Sequence, residues 1–421
     1  MRTLDLFVDD ARVGTLRDSA DRWSLEYDAP WRARGDAFDL APSLPRAQGI
    51  VEDGATQRPV QWFFDNLLPE ESLREAIAAD TKIAAADAFG LLEAFGAESA
   101  GALTLLAPGA SLLPPTSRPL PFEALSARIA ALPRKPLAAD APKRMSLAGA
   151  QHKLPVVWQD ERLLEPVGSA ASTHILKPDH VHRDTYPHSA ANEWFVMTLA
   201  ARVGLAVPAV RLLRVPEPVY LVERFDRVRA GGAVRRLHAI DACQLLGVAR
   251  TFKYQQMSAA ALADCARACR TPLAVRQQLF RWLVFDLLVG NNDAHLKNAS
   301  FLVGPGGCTL APFYDLLATA LYPFDAERPA DVDAAELPMR LGDARLMDEV
   351  RTGHLEEAAR DLGIAGAAAG RFRRELVERV PRFAADLLRQ VEASASCHAG
   401  ELRLLRMIVH NAIQPMARRL S

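Results

Sequence analysis

Gly290-Asn-Asn-Asp-Ala-His-Leu-Lys-Asn298 is the stretch on which the reading of this chain turns. It follows a strongly apolar run, residues 279–289, whose length and composition predict a buried helix, and Gly290 supplies the stop. A polar loop at the end of a buried helix holds its side chains on a rigid base. Asp293 and Asn298 stand five positions apart in it. That is the interval D-x-x-x-x-N at which protein kinases place a general base and a metal-binding amide. The chemistry needs a carboxylate beside the attacking hydroxyl and an amide oxygen beside Mg²⁺. Downstream, Leu310-Ala-Pro-Phe-Tyr-Asp315 reads as a strand that delivers a second carboxylate, able to bridge Mg²⁺ to phosphates.

Upstream the rhythm of the chain changes. Residues 143–227 read in the order strand, strand, strand, helix, strand, strand. Thr173-His-Ile-Leu-Lys177 puts a lysine on the third strand, where a point cation could meet the α- and β-phosphates. Residues 192–203 have helical spacing and end at Gly204. Glu193 opens that helix on the face carrying Val196 and Ala200. A carboxylate on a face packed against a sheet needs a partner, and Lys177 is the candidate; an acid favoured by the helix dipole is the plainer alternative. Before the first strand, Ser146-Leu-Ala-Gly-Ala-Gln-His-Lys153 is a small-residue loop able to bring backbone amides to phosphate. It has a single glycine and so departs from G-x-G-x-x-G. His182-Arg-Asp184 spells the kinase H-R-D triplet, but position 189 is Ser and the triplet precedes the helix, so it reads as a solvated loop.

From about residue 237 the pattern is almost all helical, and Phe372, Leu376, Val380, Phe383, Leu387 and Val391 form an amphipathic stripe interrupted by Pro381. The expected fold is α+β and bilobal, protein-kinase-like, with a β-rich N-lobe and an all-helical C-lobe. Residues 1–107 read as an added N-terminal α/β subdomain, 108–142 as a Pro-rich linker region, 143–227 as the N-lobe and 228–421 as the C-lobe. In the first of these, Pro69-Glu-Glu-Ser reads as a helix start with Pro in the first turn.

Composition bounds the rest. A chain of 421 residues, half of them apolar, can build two or three packed units. A formal net charge of −1 gives no general attraction to nucleic acid or anionic membrane. The first residues lack a signal-peptide core, and no segment approaches the roughly 18 apolar residues of a membrane span, so a cytoplasmic protein is expected. Five scattered cysteines argue against a disulfide framework; Cys265 and Cys269 could share a helix face, but no second metal-ligand pair accompanies them.

Taken in order, Ser146-Leu-Ala-Gly-Ala-Gln-x-Lys, Thr173-His-Ile-Leu-Lys-Pro, Asn192-Glu, Val222-Glu-Arg-Phe-Asp-Arg227, Asn292-Asp-Ala-His-x-Lys-Asn298 and Pro312-x-Tyr-Asp315 resemble the HipA-type toxin kinases. Phe64-Asp-Asn-Leu-Leu-Pro69 and Gly101-Ala-Leu resemble that family's N-terminal subdomain. The resemblance implies a serine/threonine kinase, distantly related to lipid kinases, using ATP and Mg²⁺. It implies a bacterial toxin neutralised by a small helix-turn-helix antitoxin that binds operator DNA. Its protein substrate would belong to a class such as aminoacyl-tRNA synthetases. By position it makes Asp293 the catalytic base and Asn298 and Asp315 the metal ligands. Ser146, Ala148, Gly149, Ala150, Gln151, Lys153, Lys177, Glu223, Phe225 and His295 form the ATP site, with Glu223 and Phe225 at the adenine hinge. Ser146 would also be the autophosphorylation site. His152 stands where the family often has an acid, and Pro178 directly follows the strand lysine. Two other readings stay open: a catalytically silent, kinase-shaped protein that sequesters an antitoxin, and a small-molecule or lipid kinase.

Overall fold

The computed structural model describes residues 1–143, 148–149, 151–323 and 331–421. At the N-terminus, strands β1 (Arg2–Val8), β2 (Ala11–Ser19), β3 (Arg22–Tyr27), β4 (Ile50–Glu52) and β5 (Leu103–Leu106) form an antiparallel sheet of order β4-β3-β2-β1-β5. Alternation buries Leu4, Leu6, Leu16, Trp23 and Leu25 on one face, and a bulge in the β1–β2 register adds Val13. The helices Pro59–Asp65 and Ala88–Phe95 cover that face, with Phe89 edge-on to Trp23 at 5.1 Å. Pro69 falls outside the helix that follows, which runs Glu71–Thr81. The residue instead bridges to Gly149, and Glu70 N donates to the Gly149 carbonyl at 3.2 Å. A proline lacks the N–H that this bridge leaves unused, which is why it can stand there.

A second antiparallel sheet has the order β10-β11-β9-β7-β8-β6, built from β6 (Thr116–Pro119), β7 (Leu154–Gln159), β8 (Arg162–Val167), β9 (His174–Pro178), β10 (Val210–Arg214) and β11 (Pro218–Glu223). Its edge strand β6 and the helix Phe122–Ala130 lie within residues 108–142, so the linker expected there is corrected. Leu125 and Ile129, one helical turn apart, are buried against Leu154, Val156, Leu176 and Leu221. The frequent prolines had masked that short apolar stripe. Behind the sheet runs the helix Ser189–Val203, closed by Gly204 at φ +90°. Apolar residues surround this helix, since the sheet packs on one side and the long helix Gly366–Ser394 on another. His182, Arg183 and Asp184 are exposed, in the loop between β9 and that helix.

The C-terminal part is helical in bulk. Its centre is the helix Pro272–Val289, buried along most of its length and ended by Gly290 at φ +71°. The helix Gly366–Ser394 runs through Pro381. The expectation of helices alone is refined by short strands. His238–Asp241, Ser300–Gly304 and Gly307–Leu310 form a three-stranded antiparallel sheet. Arg227–Ala230 with Ala233–Arg236, and Glu336–Leu341 with Ala344–Leu346, form hairpins. Strands of three to six residues are too short for period-2 alternation to stand out in sequence. The strand expected up to Asp315 ends at Leu310; residues 311–318 are irregular, and Pro312 has no N–H to extend a ladder.

Glu98 ties the parts together. It is fully buried and lies 3.0 Å from Lys143 Nζ, 3.2 Å from Arg227 Nη2 and 2.6 Å from the Ser172 hydroxyl. Arg224 and Arg236 close the cluster. Asp226 accepts from Arg224 at 2.7 Å and from Gly101 N at 2.7 Å. Burial opposes ionisation of Glu98, but four cations outweigh it and hold the carboxyl far below its ordinary range. Glu98→Ala leaves those cations buried without their shared anion and is expected to destabilise the fold by about 3–5 kcal/mol. A lowered urea midpoint checks it. Because the folded pKa is depressed, this stabilisation is full above the ordinary value of 4.5 and drains as pH falls below it.

Candidate active site

The site lies where β9, the helix Ser189–Val203, the end of β11 and the two polar loops of the C-terminal part converge. Alternation along β9 turns Lys177 inward beside Tyr220 of β11. Its Nζ lies 2.8 and 3.1 Å from the two oxygens of Glu193 and contacts Asp315 Oδ1 directly. Burial opposes the Lys177 charge, but Asp315 and Glu193 outweigh it and hold the ammonium above its usual range. Asp315, half-buried at φ +58°, is held well below the usual carboxylate range: Lys177 and Lys153 overcome the burial cost. A non-glycine residue at that φ is uncommon and concentrates at functional positions.

Asn291, Asn292 and Asp293 form a loop stitched from behind. Buried Asp286 accepts from Asn291 Nδ2 at 2.9 Å, and Asn291 Oδ1 accepts from the Asp293 backbone N–H at 3.1 Å. Asn298 Nδ2 donates to the Asp293 carbonyl at 3.4 Å, which leaves its Oδ1 as an acceptor. Asp293 itself reaches solvent, but enough protein surrounds its carboxyl to desolvate it. That setting pushes its carboxyl up to about 6, against the lowering effect of a hydrogen bond from Tyr254. His295 is buried with its ring 4.9 Å from that of Tyr254, and burial pushes it down to about 4, so it is neutral near pH 7.

Around the small-residue loop, Gly149 sits at φ +104°, where a Cβ would come within 2.6 Å of Lys153 Nζ. Lys153 donates to the Ala148 carbonyl, and burial plus repulsion from Lys177 lowers it to about 8. Gln151 donates to the Pro178 carbonyl at 3.1 Å. Ser146 and Ala150 lie outside the described residues. Glu223 ends β11 with its backbone N–H on the Ala209 carbonyl. Phe225 stacks on Tyr314 at 5.4 Å, so the strand end and the Asp315 loop are joined. Lys177, Glu193, Asp315 and Lys153 are thus one cluster; Asp293 and His295 feel the Asp315 charge from the neighbouring loop, Asn298 is tied to the Asp293 carbonyl, and Phe225 meets the Asp315 loop through Tyr314.

Several residues of this constellation were not apparent in the sequence. Glu70 is buried and accepts from Lys253 Nζ at 2.7 Å, with Lys297 Nζ at 3.4 Å. Lys297 also bonds Asp241 at 2.7 Å and the Asn66 carbonyl at 2.8 Å. The two lysines overcome burial and hold Glu70 at about 2. The N-terminal part therefore grips both the Gly149 loop and the Asp293 loop. Tyr254 was missed as well. Asn66 and Lys297 stood inside motifs quoted for the resemblance and Glu70 inside Pro69-Glu-Glu-Ser, but no spacing linked them to one another.

Oxygen donors alone, Asp315 and Asn298, suit Mg²⁺ with phosphates completing its shell. Among the described residues no group of three or more His, Cys, Asp or Glu makes a protein-only metal cage. Cys265, Cys269 and Cys308 are free, buried thiols.

The sequence matches the HipA-like C-terminal domain over residues 145–393 and the HipA N-terminal domain over residues 4–106. The chain belongs to the HipA family. It is 34% identical over 418 residues to the putative kinase Y4mE of Sinorhizobium fredii, covering 96% of this chain and 95% of that one. It is 32% identical over 341 residues to the serine/threonine-protein kinase toxin HipA of Shewanella oneidensis, covering 76% of each. In three dimensions it is similar to HipA in the Shewanella oneidensis complex of HipA, HipB and operator DNA, with a TM-score of 0.83 and 26% identity over 99% of this chain and 97% of that one. The bilobal architecture is thus that of a HipA-type kinase toxin. No helix among the described residues is long and apolar enough to cross a membrane.

Proposed function

We propose that this HipA-family chain is an ATP- and Mg²⁺-dependent serine/threonine protein kinase, the toxin of a toxin–antitoxin pair. The observation that carries the reading is the cluster in which Lys177 is shared between Glu193 and Asp315, opposite a loop bearing Asp293 and Asn298. Bound Mg·ATP would take over the Asp315 carboxylate and the Lys177 ammonium, Mg²⁺ neutralising phosphate charge while Asn298 supplies a second oxygen. Lys177, freed from Asp315, would then meet the α- and β-phosphates with Glu193 holding its position. Glu223 and Phe225 would border the adenine, and the Gly149 loop would close over the phosphates. Asp293 orients the acceptor hydroxyl and receives its proton as the γ-phosphoryl group transfers.

The partner proposed is a small helix-turn-helix antitoxin, in keeping with the HipB and operator DNA of the Shewanella assembly. The protein substrate is proposed from the translation machinery, with an aminoacyl-tRNA synthetase as the first class to test. A chain of this kind acts in the cytoplasm, and Ser146 is the proposed autophosphorylation site. Incubation with labelled ATP and Mg²⁺, alone and with a bacterial lysate, tests the reading; labelled protein that depends on Asp293 is expected, and its absence would overturn it. With a net charge of −1, the purified chain is expected to bind operator DNA weakly and without sequence preference until the antitoxin is added. Titration of labelled operator at two salt concentrations checks this, and tight specific binding by the chain alone would contradict it.

A further inference from the structure

The carboxylate proposed as the base is already engaged by a hydroxyl, and that hydroxyl belongs to this chain. Tyr254 donates to Asp293 Oδ1. Two features separate this contact from an ordinary brace. First, the Asp293 loop is fixed from behind without it, through Asp286, Asn291 and Asn298. Second, Tyr254 is 42% exposed and so is not a buried brace. Its approach is nevertheless built. The turn carrying it is anchored to the N-terminal part by Arg250 Nε on Asp65 at 2.9 Å and by Lys253 Nζ on Glu70 at 2.7 Å and Glu71 at 3.2 Å. Its ring lies edge-on to His295, with the Lys253 ammonium 5.2 Å from its centroid. Ring and backbone are therefore held by groups that the hydroxyl does not touch.

We propose that Tyr254 is a specificity residue whose hydroxyl occupies the acceptor position on Asp293 Oδ1 and holds that oxygen against water until a substrate hydroxyl displaces it. The inference rests on the kinase reading above. A kinase with an open site faces a competing reaction. A water oxygen attacks the γ-phosphorus, its proton passes to Asp293, the bond to the ADP oxygen breaks, and phosphate and ADP leave. Denying water the Oδ1 that would take its proton suppresses that loss. A protein acceptor, held by contacts beyond its hydroxyl, can displace one phenol hydrogen bond, whereas a single water molecule brings no such contacts.

Phosphate release from Mg·ATP with no added acceptor tests this in the full chain. Tyr254→Phe keeps the ring against His295 and Lys253 and removes only the hydroxyl. It is expected to raise phosphate release about fivefold, the worth of one ordinary hydrogen bond. The gain is expected to disappear when Asp293→Asn is added, because the extra water reacts through that base. Phosphate release that is unchanged or lowered in Tyr254→Phe while the wild type turns over overturns the gate alone, as does a gain that survives Asp293→Asn. A wild-type chain that neither releases phosphate nor labels any lysate protein overturns the kinase reading, and the gate falls with it.

Discussion

Asp293→Asn is expected to slow phosphoryl transfer by about 10²–10⁴-fold, the usual contribution of a positioned general base. The substitution is nearly isosteric. The Asn291 contact is to the Asp293 backbone N–H and the Asn298 contact to its carbonyl, so both survive, and Tyr254 still finds an oxygen to donate to. What is lost is the capacity to take a proton. The pH profile provides a second signature. Asp293 acts when ionised, and its surroundings raise it to about 6. Activity is therefore low at acid pH, rises through a limb at or below about 6 and is level above it, since a nearby Mg²⁺ can only favour the ionised form. Labelled phosphate incorporated by both forms from pH 5 upward measures it. An unaltered rate in the Asn variant, or a limb that persists in it, would remove Asp293 from the role of base.

Asp315→Ala is expected to cost roughly 10²-fold or more in transfer, because electrostatic stabilisation at the reacting phosphate is usually the largest single contribution. In the free protein Asp315 is a counter-charge to Lys177, and Lys177 and Lys153 hold it ionised at any working pH. Removing it leaves Glu193 still 2.8 Å from Lys177, so the strand and helix stay bridged. The loss therefore falls on metal binding more than on the fold. The check is thermal stabilisation by ATP with and without Mg²⁺. The wild type should gain extra stabilisation when Mg²⁺ is added, and the variant should not. An equal Mg²⁺-dependent gain in both, with normal turnover, would exclude Asp315 from the metal site.

Asp293 and Asn298 were legible because their spacing is local: five positions along one loop at the end of one helix. Lys177 was legible as the candidate partner of Glu193 because helical spacing put Glu193 on a face packed against a sheet, where a carboxylate needs a counter-charge. The 2.8 Å contact shows that the two meet and that Glu193 is not an acid merely favoured by the helix dipole. Periodicity also marked residues 192–203 and 279–289, which lie inside the longer helices Ser189–Val203 and Pro272–Val289. It failed where elements are short, in the small strands of the C-terminal part and in residues 108–142, where prolines hid the Leu125–Ile129 stripe.

What only the tertiary structure decided is which distant charges meet. Glu70 is 183 positions from Lys253, Glu98 is 126 from Arg224, and Tyr254 is 39 from Asp293. Nothing in the segment of any of these residues marks which partner it will meet. A buried carboxylate must find cations, but the sequence of its own helix or loop holds no information about which ones. That choice is made when the sheets and helices pack on their apolar faces and bring the remaining polar groups to the same few places. The apolar pattern therefore determined the lobes and the local spacing marked Asp293 and Asn298 as candidates, while packing alone set Glu70 behind the loops and the Tyr254 hydroxyl on Asp293.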